Sequence, residues 1–256
     1  MKKKLLFVAN WKMYFNFDQD LLFATEHYDQ FIHLAENSNH EIILCPSFLA
    51  LATLGKIFNS TKIKIGAQDC SDHHKGAFTG QISALSLKKA GCSYSIIGHS
   101  ERRINNGETD QAVAQKCLQI IEQDMIPIVC IGENADDYAQ GRAFTVLEKQ
   151  IEKICAIIKN DSYKLKNSSL CIAYEPLWAI GTGTIPSPVH LETVFAWLST
   201  QLSKASLSVE WKLLYGGSVN ASSITLLKNF AHLDGFLVGG ASLDFQEFEK
   251  IVHYAV

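Results

Sequence analysis

The chain has 256 residues, 47% of them hydrophobic and 19% charged, with a formal net charge of −3. This balance excludes a disordered chain, and it offers no basic field for nucleic acid or an anionic membrane. No apolar run approaches the roughly 18 residues of a membrane span, and a chain this long can bury its core without disulfide or metal staples.

The first segment, Met1-Lys2-Lys3-Lys4-Leu5-Leu6-Phe7-Val8-Ala9, is basic and then apolar, like the start of a secretory signal. Its apolar stretch stops after five residues at Asn10-Trp11-Lys12, so export is not expected and Leu5–Ala9 reads as a first strand. Similar short runs follow at Glu41–Cys45, Ile63–Gly66, Ser93–Gly98, Ile126–Cys130, Leu170–Tyr174, Trp211–Tyr215 and Gly235–Val238. They are apolar on both faces, as buried parallel strands are.

Helical patterns lie between them. Thr109–Gln123 carries Val113, Cys117, Ile120 and Ile121, and Ala143–Lys159 carries Phe144, Leu147, Ile151, Ile154 and Ile158 at spacings of three and four. A helix should begin at Ser187-Pro188, with Ser as N-cap and Pro in the first turn. The last, Phe245–Tyr254, places Phe245, Phe248, Ile251 and Val252 on one face. No linker or composition shift divides the chain, so residues 1–256 are expected to form a single domain. Alternating strands and helices indicate an α/β fold, either a closed eight-stranded barrel or an open doubly wound sheet. Periodicity does not choose between them. Seven scattered cysteines without a C-x-x-C pair read as reduced thiols in a cytoplasmic protein.

Residues capable of chemistry gather where the strands end. Lys12, in Asn10-Trp11-Lys12, could aim a fixed positive charge into a mouth, although alone it reads as a solvated lysine. In Gly98-His99-Ser100-Glu101-Arg102-Arg103, the start of a short helix would favour a neutral His99 ring. The plainer alternative is a hydrogen-bonded loop histidine. The sixth run leads to Glu175-Pro176-Leu177-Trp178-Ala179-Ile180-Gly181-Thr182-Gly183-Thr184. A carboxylate entering an apolar mouth there becomes a better general base, and the segment after it has the apolar surface of a lid that excludes water. Tyr215-Gly216-Gly217-Ser218-Val219-Asn220 and Val238-Gly239-Gly240-Ala241-Ser242 follow the last two strands. One Gly-Gly pair usually marks a turn. Two on consecutive strands, each leading into a helix, point to main-chain N–H groups gathered round a phosphate.

Taken in order, these segments span the chain and resemble the triosephosphate isomerase family. The resemblance implies a (β/α)8 barrel that interconverts dihydroxyacetone phosphate and glyceraldehyde 3-phosphate through an enediol. It gives Glu175 the role of base, His99 that of neutral electrophile and Lys12 that of positive charge for the enediolate and phosphate. Asn10 would bind substrate, and Gly181, Ser218, Gly239 and Gly240 match the phosphate-binding positions. Glu101 matches a partner of Lys12 or of the following arginines, and Ile180 with Leu237 an apolar clamp over Glu175. Gly76-Ala77-Phe78-Thr79-Gly80 matches a loop that docks into a second copy beside its Asn10–Met13 segment, which implies a homodimer. The chain departs from the family pattern at Thr184, usually Lys, at Asp69, usually Asn, and at Gln81, usually Glu. Asp69 is accordingly expected to be destabilising when ionised near the interface.

Other readings remain to be weighed. Asp69-Cys70-Ser71-Asp72-His73-His74 resembles a metal cluster, but no second ligand group has zinc spacing, so no metal is expected. Cys130 could be a reactive thiol, although a small buried residue near the base fits better. No G-x-G-x-x-G follows the first strand, and nothing calls for a nucleotide, flavin or pyridoxal cofactor. The alternatives in function are aldol cleavage through a Schiff-base lysine and a catalytically silent barrel acting as an interaction protein.

Overall fold

Successive strand residues face opposite sides of a sheet, and in this chain both sides are apolar. The computed structural model describes residues 3–160, 168–180, 185–205, 207 and 209–255. Their strands are β1 (Leu6–Asn10), β2 (Glu41–Cys45), β3 (Lys64–Ala67), β4 (Cys92–Ile97), β5 (Ile126–Ile131), β6 (Ser168–Tyr174), β7 (Val209–Tyr215) and β8 (Gly235–Val238). Each pairs in parallel with the next, and β8 returns to β1 with Leu6 opposite Gly235 and Ala9 opposite Val238. The barrel is closed, which settles the choice that periodicity left open.

Helices cover its outside. β1 is followed by α1 (Phe17–Glu26) and α2 (Tyr28–Asn37), β2 by α3 (Leu51–Ile57), and β3 by α4 (Ala84–Lys89). After β4 come α5 (Ser100–Asn106) and α6 (Asp110–Ile121), and after β5 come α7 (Ala135–Ala139) and α8 (Ala143–Asn160). β6 leads to α9 (Pro188–Lys204), β7 to α10 (Ala221–Leu227), and β8 through a 3-10 turn at Gly240–Leu243 to α11 (Phe245–Tyr254). As expected, the Ser187 side chain accepts from the His190 backbone N and Pro188 opens α9. Thr109 lies just outside α6 as its N-cap, accepting from the Ala112 backbone N. Among the described residues, no helix is long and apolar enough to cross a membrane.

The alternation divides the core into two layers. Leu6, Val8, Ile43, Ile96, Ile128, Cys171, Ala173, Leu214 and Leu237 fill the barrel interior. Their neighbours Phe7, Ile42, Leu44, Ile97, Val129, Ile172, Tyr215 and Phe236 pack outward with helical residues such as Leu147, Ile151 and Ile154. Each fully buried Val, Leu, Ile or Phe among them contributes ~1.5–3 kcal/mol. All seven cysteines are free and buried. One further step of the inward series Leu6–Val8 reaches Asn10, that of Cys171–Ala173 reaches Glu175, and those from Leu214 and Leu237 reach Gly216 and Gly239. The strand pattern itself therefore delivers these four positions to the mouth.

Two imidazoles make the fold sensitive to acid. Burial pushes His40 down, with His253 and Lys4 adding to the effect. Burial also pushes His190 down, against the pull of Glu133. Below about pH 6.5 the unfolded chain gains protons at these residues that the folded chain resists. Thermal stability should therefore hold above that pH and fall progressively below it. Melting curves from pH 7.5 to 5.5 check this, and a decline equally steep in His40→Gln would count against His40.

Candidate active site

The expected active groups come from different strands and meet at one mouth. Asn10 Oδ1 accepts from the Lys12 backbone N at 3.1 Å. Gln68 Nε2 donates to the Lys12 carbonyl at 2.7 Å and to the Cys45 carbonyl at 3.0 Å. These bonds hold Lys12 at a left-handed φ of 53°, which costs a non-glycine residue about 1–2 kcal/mol. From this turn the Lys12 ammonium reaches Glu101 Oε1 at 2.8 Å.

His99 caps α5, and its Nδ1 accepts from the Glu101 backbone N at 3.2 Å. An accepting ring nitrogen carries no proton, so the hydrogen resides on Nε2. Nε2 lies 3.2 Å from Glu175 Oε1. The Ser100 backbone N donates to Glu175 Oε2 at 2.9 Å. Glu175 is only 2% exposed, with the Ser100 backbone N on one oxygen, His99 Nε2 close to the other and the Cys130 thiol also bonded to the carboxylate.

Glycines on both sides make room for it. A Cβ at Gly132 would stand 1.8 Å from the Glu175 carbonyl oxygen. One at Gly216 would stand 2.9 Å from Glu175 Cγ and 3.5 Å from Leu237 Cδ2, so the base and Leu237 abut the same glycine. Cys130 is fully buried. Burial, with Glu175 beside it, pushes its thiol well above the ordinary range, which leaves it inert as a nucleophile at neutral pH.

Across the mouth, Gly239 lies under Lys12. A Cβ there would come within 3.2 Å of Lys12 Cε and 3.5 Å of Nζ, whereas one at Gly240 would meet nothing within 4 Å. Gly240 thus faces open space. Ser218 Oγ donates to the Ala179 carbonyl at 3.0 Å, joining the loop after β7 to the segment that follows Glu175. Gly181 and Thr184 lie outside the described residues. Asn10, Lys12 and His99 also line a cavity of about 460 Å³ that extends away from Glu175 past Met13, Phe48 and Arg102. A dry carboxylate, a neutral N–H donor and an ammonium suit proton removal beside a carbonyl, where negative charge develops on oxygen.

The family model for triosephosphate isomerase matches residues 5–255. The chain belongs to the triosephosphate isomerase family. It is 37% identical over 251 residues to the triosephosphate isomerase of Aquifex aeolicus (strain VF5), covering 97% of this chain and 98% of that one. It is 38% identical over 257 residues to that of Endomicrobium trichonymphae, covering 99% of each. Against the Clostridium tetani (strain Massachusetts / E88) protein, identity is 36% over 255 residues, covering 98% of this chain and 97% of that one.

Two departures from the triosephosphate isomerase pattern, Asp69 and Gln81, border a second cavity of about 360 Å³. Asp69 Oδ1 accepts from Lys116 Nζ at 2.6 Å and Oδ2 from Arg102 Nη2 at 2.9 Å, and Lys116 also pairs with Glu108. Burial pushes the Asp69 carboxyl up, while Lys116 and Arg102 pull it down. Burial pulls the Lys116 ammonium down, but its two carboxylates outweigh that and raise it. Two cations remote in sequence thus face Asp69 within the same chain, yet burial, with Glu108 adding to it, outweighs them and leaves the carboxyl raised, the direction expected of a group that is destabilising when ionised. Gln81 is bonded to the Ser71 hydroxyl. His73 stacks on Phe78, with ring centroids 3.7 Å apart and planes 8° apart. Among the described residues, no three His, Cys, Asp or Glu side chains gather as a metal site would require.

Several contributors to this triosephosphate isomerase site were not singled out by sequence reasoning. Ser100 acts through its backbone, Gln68 through two carbonyls, and Gly132 through the side chain it lacks. Arg103 ties the mouth together: Nε donates to the Gly98 carbonyl at 2.8 Å, Nη2 to the Cys130 carbonyl at 3.2 Å, and Nη1 to Asp110 at 2.6 Å. Its place in Gly98–Arg103 was the available signal.

Proposed function

We propose that this chain interconverts glyceraldehyde 3-phosphate and dihydroxyacetone phosphate, with Glu175 as base and His99 as electrophile. The observation that carries this reading is the His99 ring, whose Nδ1 accepts from the Glu101 backbone N and whose Nε2 lies 3.2 Å from Glu175 Oε1. On substrate binding, Glu175 exchanges its resting contacts for the carbon acid. It takes a proton from the carbon beside the carbonyl, leaving an enediolate whose oxygen receives the His99 Nε2 hydrogen. Glu175 then returns its proton to the neighbouring carbon, while the other hydroxyl proton passes back to His99. No net proton is gained or lost.

The Lys12 ammonium stabilises charge on the enediolate and on the phosphate, and Asn10 binds substrate. Ser218, Gly239 and Gly240 hold the phosphate together with Gly181, and Gly239 against Lys12 with open space over Gly240 supports that placement. Each well-placed oxyanion donor is worth ~3 kcal/mol of barrier, so these groups must act together. Leu237 and Ile180 keep water from the base.

A homodimer through Gly76–Gly80 fits the exposure of Met13, Tyr14, Leu49 and Phe78, large apolar side chains that a second copy would cover. Free, buried cysteines support a reducing compartment, and we place the protein in the cytoplasm. A coupled assay in both directions, run on the fraction that sediments at twice the chain mass, tests the reading. Isomerase turnover without borohydride trapping of a lysine is expected. A trapped Schiff base would support aldol chemistry instead, and a silent protein would refute catalysis.

A further inference from the structure

Behind the base, on the outer side of the barrel wall, a second polar group is organised round Glu133. This residue is fully buried at the end of β5. Its Oε1 accepts from Tyr174 OH at 2.9 Å and from Trp178 Nε1 at 2.8 Å, and its carbonyl accepts from the Leu177 backbone N at 3.0 Å. Tyr174 directly precedes Glu175, and Trp178 follows it by three residues. Strand alternation turns Tyr174 outward and Glu175 inward, so this group touches the base only through the main chain.

The group is completed from α9. His190 Nε2 lies 3.1 Å from Tyr174 OH. A phenol has one hydrogen, and Tyr174 gives it to Glu133. His190 must therefore donate, which places its own hydrogen on Nε2. Its ring meets Tyr138 edge-on at 5.3 Å and 87°, and Trp178 at 5.9 Å and 67°, while Tyr138 lies flat on Trp178 at 4.1 Å and 21°. One histidine side chain thus touches the residues that flank the base on either side and reaches the carboxylate that binds both.

We propose that His190 is a positioning residue for Glu175: its Nε2–H, donated to Tyr174, commits the phenol hydrogen to Glu133 and so anchors the main chain on both sides of the base. The proposal rests on the isomerase reading given above. Without that donor, the Tyr174 oxygen loses its second partner, and its bond to Glu133 loses the polarisation and the fixed direction that the donor supplied. The weakened bond is to a buried, already under-bonded carboxylate, for Glu133 Oε2 has no hydrogen-bond partner among the described residues. Hydrogen bonds in such chains reinforce one another, so the loss of one is felt at the others.

Two variants separate this role from the plain packing of α9. His190→Leu keeps volume but loses the donor; His190→Gln restores an N–H at similar reach. Both retain the backbone N–H that Ser187 caps. His190→Leu should lower kcat about tenfold with KM within twofold of wild type, because small misplacements of a base are costly. His190→Gln should recover most of that loss. The indole N–H signal of Trp178, identified with Trp178→Phe among the chain's four tryptophans, should move in His190→Leu and stay in His190→Gln. Equal losses in the two variants, or an unmoved Trp178 signal in an active His190→Leu enzyme, would overturn the proposal. A wild-type chain without isomerase turnover would instead overturn the catalytic reading.

Discussion

Glu175→Asp should lower kcat by about 10²–10³-fold while KM stays within about threefold, because a base displaced by one bond length loses its aim at the carbon acid but still leaves the phosphate grip intact. The variant keeps the charge and removes one methylene, so the carboxylate retreats by ~1.5 Å. In the resting structure Oε1 and Oε2 are placed by His99 Nε2 and the Ser100 backbone N. The main chain below is held by the Glu175 backbone N donating to the Ile131 carbonyl at 2.8 Å, with Gly132 packed against the Glu175 carbonyl. Neither hold can follow a shorter side chain, so the lost distance appears at the reacting carbon. Coupled assays in both directions read the effect, and both should fall alike because one group serves both. If kcat persisted and KM rose, Glu175 would be a binding residue and the proton transfer would belong to another group.

How far this site was legible depends on what kind of group supplies it. Glu175, His99 and Lys12 act through side chains of distinctive chemistry placed just after apolar runs, so the sequence reveals them. Ser100 contributes a backbone N–H and Gly132 an absence, and neither has a composition to read. Gly235 shows the same limit for the fold: a Cβ there would stand 2.1 Å from the Leu6 carbonyl oxygen. The glycine is visible in sequence, but its neighbour 229 positions away is not, and that contact closes the barrel. Strand ends were blurred for a related reason. β6 and β7 begin at Ser168 and Val209, two residues before their apolar runs, because Ser168 pairs with Val209 and Ser169 with Glu210 through the backbone. Hydrophobic patterning follows burial, and Ser169, Val209 and Glu210 lie where burial ends. Asp69 shows the same limit for charge: its departure from the family pattern is visible in the sequence, but its partners Lys116 and Arg102 come from other elements and only the fold reveals them.

Lys116→Met should destabilise the chain by ~3–5 kcal/mol, since removing one partner of a buried ion group leaves charge uncompensated. The Lys116 side chain is 6% exposed, against 11% for Asp69 and 5% for Glu108. With the ammonium gone, two carboxylates face each other with Arg102 as the remaining cation, and Arg102 reaches Asp69 from a half-exposed position. Burial already opposes the charge on Asp69, and methionine fills the volume without supplying a donor. A second variant separates charge from packing. Asp69→Asn and Glu108→Gln added to Lys116→Met remove the stranded charges and should return a large part of the loss, a non-additivity expected of residues in one network. Urea unfolding midpoints of the single and triple variants measure both effects. A single variant within about 1 kcal/mol of wild type would mean that the group is worth no more than an exposed surface pair. A triple variant no better than the single would place the cost in the shape of the lysine rather than in its charge.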